Sequence, residues 1–307
     1  LNNAIEGSFD YYNKNSSDLL AADAADPTLG FSSLTKNVGK MTNHGFELGL
    51  NVHAIKNSKF SWDILPNISF NANKVKHYNV NRPYTGSYTT AGGIMVAGYP
   101  SDGLWGYRFA GLNELGQTQV YTRDNQVVLA SNAEVTDLVY QGTFRPKWDL
   151  ALTNRFSYQN WDLSFMFIAK LGHKYRKDTF SGSNYQNRHV AERWRKPGDE
   201  KNTIYPVLEE WNMDMFSFPF ADVNVGNASY AKLRDITLSY NLEKLSKRIG
   251  LTNARIFVQG RNLFRITAKG VDVDPETTEF NVSGGTGAGT DQGFTSLPLP
   301  REIFIGL

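Results

Sequence analysis

The chain has 307 residues, 32 of them basic and 30 acidic, and a formal net charge of +2 leaves no electrostatic footprint for nucleic acid. It has no cysteine, which removes disulfides and thiolate zinc sites, and 13% aromatic content with 27 glycines points to an all-β fold. Mean hydropathy is −0.42, and no apolar run reaches the length of about 18 residues that a transmembrane helix needs. A transmembrane β-barrel is not excluded, because alternation hides its lipid face from a hydropathy window. The opening Leu1-Asn2-Asn3 carries no leader pattern and reads as the interior of a longer polypeptide.

In chain order, residues 4–13 set Ile5, Phe9 and Tyr11 on one parity and Glu6, Ser8 and Asp10 on the other, the period of a strand. A polar connection rich in Ala, Asp and Ser is expected from there to about Lys40. Over 44–54, Phe46, Leu48, Leu50, Val52 and Ala54 alternate with Glu47, Gly49, Asn51 and His53. A short turn over 55–58 follows, and then Phe60, Trp62, Ile64, Ile68 and Phe70 alternate with Ser61, Asp63, Asn67, Ser69 and Asn71. The pair reads as a hairpin with aromatics beside its turn. From about 74 to 146 the alternation lapses into an insertion holding Trp105, Tyr107 and Phe109, with a turn at 113–116.

The cleanest hairpin is Lys147 to Leu171. Trp148, Leu150, Leu152, Phe156 and Tyr158 share one parity against Asp149, Thr153 and Arg155. Beyond a tight turn at Gln159-Asn160, Trp161, Leu163, Phe165, Phe167, Ala169 and Leu171 oppose Asp162, Ser164 and Lys170, with Met166 and Ile168 as mixed members. A second insertion, 172–228, carries His173, Tyr175, His189, Trp194 and Trp211. Strands resume over 230–242 and 254–264, separated by a segment, 243–253, expected to hold one helical turn. A Gly/Thr/Asp-rich loop covers 267–297, and 301–307 closes with Ile303, Ile305 and Leu307 on one parity.

Arms of about 10 residues suit both a tilted bilayer crossing and a soluble β-sandwich. The connections decide between them. Short turns at 55–59 and 158–160 alternate with long insertions at 74–146, 172–228 and 267–297, and a membrane barrel sorts its loops this way. The expectation is an antiparallel transmembrane β-barrel. Phe46, Leu48, Leu50, Leu150, Leu152, Leu163, Phe165, Ile236, Leu238, Ile256, Val258, Ile303 and Ile305 are expected to face lipid. Glu47, Asp63, Asp149, Arg155, Asp235 and Arg261 are expected to face the lumen. Phe60, Trp62, Phe156, Tyr158, Trp161 and Tyr240 are expected to form an aromatic girdle at the short-turn rim.

No catalytic constellation is visible, and no cofactor or metal is implied. Five histidines (His44, His53, His77, His173, His189) lack ligand spacing. The loop GGTGAGT at 284–290 neither follows a strand nor opens a helix, so it is not a phosphate cradle. Asp272, Asp274 and Glu276 alternate like a calcium loop without the rest of its ligands, and read as an exposed turn. Trp105, Tyr107, Trp194 and Trp211 have two readings: contacts to a ligand or partner, or small cores that hold long loops in shape.

Several phrases resemble the C-terminal half of SusC/RagA-like TonB-dependent outer-membrane transporters. These are NHGFELGLN (43–51), LWGYRFAGLNELGQTQVY (104–121), ASYAKLRDITLSYNL (228–242), ARIFVQGRNLFRITAKGVDVDPE (254–276) and LPREIFIGL (299–307). The resemblance implies the last eight or so strands of a 22-stranded barrel, with the plug domain and earlier strands lying outside 1–307. It implies a Gram-negative outer membrane, import of oligosaccharide or peptide, a SusD-like lipoprotein lid, outer-membrane lipids around the wall, and TonB acting through the absent N-terminal part. The sequence departs from the pattern in lacking a terminal aromatic after Leu307. The other reading is an aromatic-rich β-domain that binds ligand without transport.

Overall fold

The computed structural model describes residues 4–24, 28, 30, 33–80, 83–89, 95–177, 179, 187–209, 213–242, 254–271, 273–278 and 298–307. In chain order the strands are β1 (Ile5–Ala24), β2 (Ser33–Lys56), β3 (Phe60–Tyr78), β4 (Gly103–Gly106), β5 (Arg108–Leu112), β6 (Thr118–Tyr121), β7 (Val127–Leu129) and β8 (Val139–Thr143). They continue as β9 (Trp148–Tyr158), β10 (Trp161–Leu171), β11 (Lys174–Arg176), β12 (Val225–Asn227), β13 (Tyr230–Asn241), β14 (Arg255–Thr267) and β15 (Glu302–Gly306). Eight of them form one antiparallel sheet in the order β1-β2-β3-β9-β10-β13-β14-β15. The rest belong to the insertions that follow β3 and β10.

Register determines what each face of the sheet carries, since cross-strand partners point the same way. One row runs Tyr11, Phe46, Phe70, Trp148, Leu171 and the next Phe9, Leu48, Ile68, Leu150, Ala169, Ala231, Ile266. Lower on the same face come Trp62, Phe156, Leu163, Leu238, Val258, Ile305, and last Phe60, Tyr158, Trp161, Tyr240, Ile256. The opposite face holds Glu47, Ser69, Asp149, Lys170 in one row, Asp63 beside Arg155 in another, and Met166, Asp235, Arg261, Glu302 in a third. Met166 and Ile168 join this polar face, opposite Thr153 and Ala151.

The apolar face has aromatic rows at its two margins. At one, Phe46, Phe70 and Trp148 stack with centroids 5.9 and 4.8 Å apart; at the other, Trp161 meets Tyr240 at 4.7 Å. Trp148 and Tyr158 mark these margins on one strand, ten residues apart. At about 3.3 Å per residue and a tilt of about 40°, that is a band about 25 Å tall, the height of the apolar belt of an outer-membrane barrel. The band's large side chains are open to the surroundings: Leu152, Leu238, Ile303 and Ile305 are among the exposed hydrophobics, and no member of the expected lipid-facing set is buried.

Asn154 is the exception on this face. Register places it between Ile64 and Phe165, yet it is buried, and its Oδ1 accepts a hydrogen bond from Trp62 Nε1 at 3.0 Å. The indole covers the amide and removes the cost of an unpaired polar group in an apolar band.

Two expectations need correction. The stretch expected as a polar connection to Lys40 is strand: β1 continues to Ala24 and β2 begins at Ser33. Polar and apolar residues do not alternate there because above the upper aromatic row neither face meets lipid, so the period lapses while the hydrogen-bond ladder goes on. A bulge at Ser16–Leu19, with Asp18 at φ 57°, bends the ribbon there. A second bulge displaces Ala54, so that Ile55 faces Trp62 on the apolar side. The segment 243–253 lies outside the described residues.

The short connections fall at one end of the sheet and the insertions at the other. At Gln159-Asn160 only the first residue has positive φ (54°), the sign pattern of a type II′ hairpin turn. The two folded insertions are carried by β3, β9, β10 and β13, four consecutive strands of the sheet.

Candidate functional site

The described residues of 79–147 and 172–229 pack together as one cap. Its first insertion pairs β4 with β8 and folds β5-β6-β7 as a meander, while β11 pairs β12 in the second. Trp105, Tyr107, Val120, Ala130 and Leu138 form its buried core, flanked by Tyr88, Val128, Tyr140 and Phe220. The insertions interlock through backbone: Tyr107 N–H donates to Phe220 O at 3.0 Å and Asp222 N–H donates to Tyr107 O at 2.9 Å. Asp222 also accepts from Phe109 N–H at 3.1 Å, and buried Arg176 donates to Thr89 O and Trp105 O at 2.9 and 2.7 Å.

These contacts give the phrase LWGYRF its physical reason. A Cβ on Gly106 would stand 2.0 Å from Phe220 O, so only glycine lets the second insertion approach. Gly116, at φ 75°, is in turn covered by the Trp194 ring. Burial of Tyr107 pushes its hydroxyl pKa up, so it stays a neutral hydrogen-bonding group.

The cap sits on the wall through Asn73 of β3. Its Nδ2 donates to Asp102 at 2.8 Å and its Oδ1 accepts from Ser101 N–H at 2.7 Å, while Thr143 donates to the other Asp102 oxygen. Beside this seat lies a polar cavity of about 740 Å³ between wall and cap. His173, just past β10, is buried at the same junction near Tyr230, and burial, then the charge of Lys170, hold its pKa down at about 4.

A second anchor ties the chain after β14 to the polar face of the sheet. Lys232, nearly fully buried, donates to Asp274 at 2.9 Å and to Glu276; Arg234 pairs with Glu276, and Arg265 reaches Asp274 at 3.1 Å. Burial by itself would raise both carboxyls, but the Lys232, Arg234 and Arg265 partners hold Asp274 and Glu276 below their ordinary pKa values. This corrects the expectation of an exposed turn: Asp274 is buried and Glu276 partly so, both ion-paired. The signal was a Lys-x-Arg on one strand and an Asp-x-Glu after the next, two motifs whose pairing only the fold reveals. Asp272 and 284–290 lie outside the described residues.

Among the aromatic candidates, Trp105, Tyr107 and Trp194 are buried inside the cap, and Trp211 lies outside the described residues. The structure brings Trp105 and Tyr107 into one core, with Trp194 against Gly116 nearby. The histidines are dispersed: His53 Nδ1 lies 2.5 Å from Asp63, and buried His189 stacks on Tyr205. Among the described residues no group of three or more His, Asp or Glu has metal-holding geometry.

An eight-stranded antiparallel sheet with one apolar and one polar face, short turns at one end and a folded cap at the other, has the architecture of the wall of a membrane β-barrel. The comparisons show what the chain is similar to: in sequence, proteins named TonB-dependent receptors, SusC among them, and in fold a solved peptide transporter. A "TonB-dependent receptor P3" of Formosa agariphila is 26% identical over 99% of this chain and 32% of its own length. "TonB-dependent receptor SusC" of Bacteroides thetaiotaomicron is 25% identical over 90% of the chain and 28% of its own length. A solved "RagAB peptide transporter" superposes with a TM-score of 0.70 at 21% identity, over 99% of this chain and 33% of its own. No family model matches. The chain spans about a third of the length of these relatives.

Proposed function

We propose that this chain is the C-terminal part of the wall and outer rim of a nutrient importer. The reading rests on one observation above others: an apolar face one bilayer belt tall between two aromatic rows, with both folded insertions gathered beyond the same row. Glu47, Asp63, Asp149, Arg155, Asp235 and Arg261 then line the lumen, and the turns at 57–59 and 159–160 lie at the periplasmic rim. The cap stands outside the cell, where a SusD-like lipoprotein rests on it and delivers oligosaccharide or peptide. Energy coupling through TonB, and the plug it would act on, belong to polypeptide outside these residues. The wall performs no catalysis; it shapes, gates and excludes.

The test uses the complete receptor. It should require detergent or lipid to stay monodisperse, and protease added to intact cells should cut in the cap and spare the short turns. Shortening the 187–209 segment should release the lipoprotein partner and abolish uptake with the barrel still inserted. A monodisperse receptor in plain buffer would instead support a soluble ligand-binding β-domain. Retained partner and uptake after the deletion would leave the cap without a role in import.

A further inference from the structure

We infer that the cavity between cap and wall binds the anionic group of the imported solute, a carboxylate or sulfate. This deepens the importer reading and rests on it. The cavity of about 740 Å³ opens on the polar face just beyond the upper aromatic row, at the mouth of the lumen, and is of ligand-binding size. Its charged lining is Asp102, Arg145, Lys147 and Lys170. The single carboxylate is committed: Asn73 holds one Asp102 oxygen and Thr143 the other. Among the described residues Arg145 and Lys147 meet no carboxylate, and both are exposed. Lys170 pairs with Asp149 at 3.8 Å, so the free cations of the lining, among the described residues, are Arg145 and Lys147.

The lining therefore carries three cations against one hydrogen-bonded carboxylate, an excess of positive charge. Such a site attracts an anion, and a guanidinium beside ammonium groups suits carboxylate or sulfate oxygens. The same cavity supplies a complementary acceptor. Asn43 lines it, and its buried Oδ1 has no partner among the described residues. A ligand that offers a hydroxyl or amide N–H next to its anionic group satisfies both. A uronic or sulfated sugar does so, and so does the C-terminal residue of a peptide.

Calorimetry on the complete receptor in detergent, with defined probes, tests the proposal. The probes are trigalacturonate and its methyl ester, and a tripeptide with a free or an amidated C-terminus. Within at least one pair the acidic probe should bind more tightly than its neutral partner, and the preferred pair identifies the source of the anion. Arg145→Gln with Lys147→Gln should weaken the acidic probe about tenfold or more and leave the neutral one unchanged. Both side chains are exposed, so the fold is not at stake, and the conservative Lys147→Arg on its own should retain binding. Equal affinity for both members of each pair, or equal loss of acidic and neutral binding in the double variant, would overturn the proposal. TonB-dependent uptake by the wild type is measured in parallel: its absence would sink the importer reading, whereas uptake indifferent to the double variant would sink only this site.

Discussion

Two arginines placed one residue apart on β9 test the assignment of faces. Leu152 is exposed on the apolar face, four residues from Trp148 and six from Tyr158. At about 3.3 Å per residue and about 40° of tilt, it lies about 10 Å from the upper aromatic row and 15 Å from the lower, within a few ångströms of the midplane. Leu152→Arg should therefore cost about 2–4 kcal/mol, the figure for arginine facing lipid at that depth. Thr153 points the other way, onto the face that already holds Arg155. Thr153→Arg should stay within about 0.5 kcal/mol of the wild type. The assay is urea unfolding of the complete receptor in lipid vesicles, with slopes checked for constancy so that midpoint shifts report stability. Equal costs at the two positions would refute the facing argument, and a larger cost at Thr153 would invert it.

Gly106→Ala should push the second insertion off the first. Losing the Tyr107–Phe220, Asp222–Tyr107 and Phe109–Asp222 hydrogen bonds at about 1 kcal/mol each predicts exchange about 150-fold faster at the Tyr107 and Asp222 amides; unchanged protection would show that the interlock does not rest there. Lys232→Met removes the common partner of Asp274 and Glu276 and should cost about 3 kcal/mol, with protease cutting appearing within 273–278. Because both carboxyls are held below their ordinary values of 3.8 and 4.5, their stabilisation is complete above those values and is lost as pH falls beneath them; an anchor that loosened on raising the pH from neutral would contradict this. His173, lowered from 6.5 to about 4, is neutral in the fold, so the stability it confers is complete above pH 6.5 and declines, by roughly 3 kcal/mol in all, as pH falls to about 4. His173→Phe should flatten that stretch of the profile, and an unchanged slope would show that the residue does not set it.

Strand positions within the apolar band were legible because lipid on one side and polar lumen on the other force a period of two: Leu150, Leu152 and Phe156 against Asp149, Thr153 and Arg155. Where that pressure ends, so does the signal. Residues 14–24 and 33–40 form strand without alternation, since the ladder needs only backbone. Asn154 broke the pattern within the band, and nothing local in the sequence marks its partner as Trp62. The cap was opaque for a different reason: its strands have three to five residues, too short to show a period. Its core also joins Tyr107 to Phe220 across more than a hundred positions. The basic residues of the cavity were likewise unremarkable in sequence. Only the fold gathers Arg145 and Lys147 at one cavity and ties the nearby Asp102 to Asn73 and Thr143.

The cap's attachment to four successive strands has a mechanical consequence. Its chain crosses to the wall at Tyr78, Trp148, Leu171 and Tyr230, on β3, β9, β10 and β13. Strands about 4.8 Å apart place these tethers along about 15 Å of one side of the rim. Four tethers in a row share any load on the cap among neighbouring strands, and the Asn73–Asp102 hydrogen bond adds a side-chain tie at β3, so cap and wall are joined by more than the chain connections.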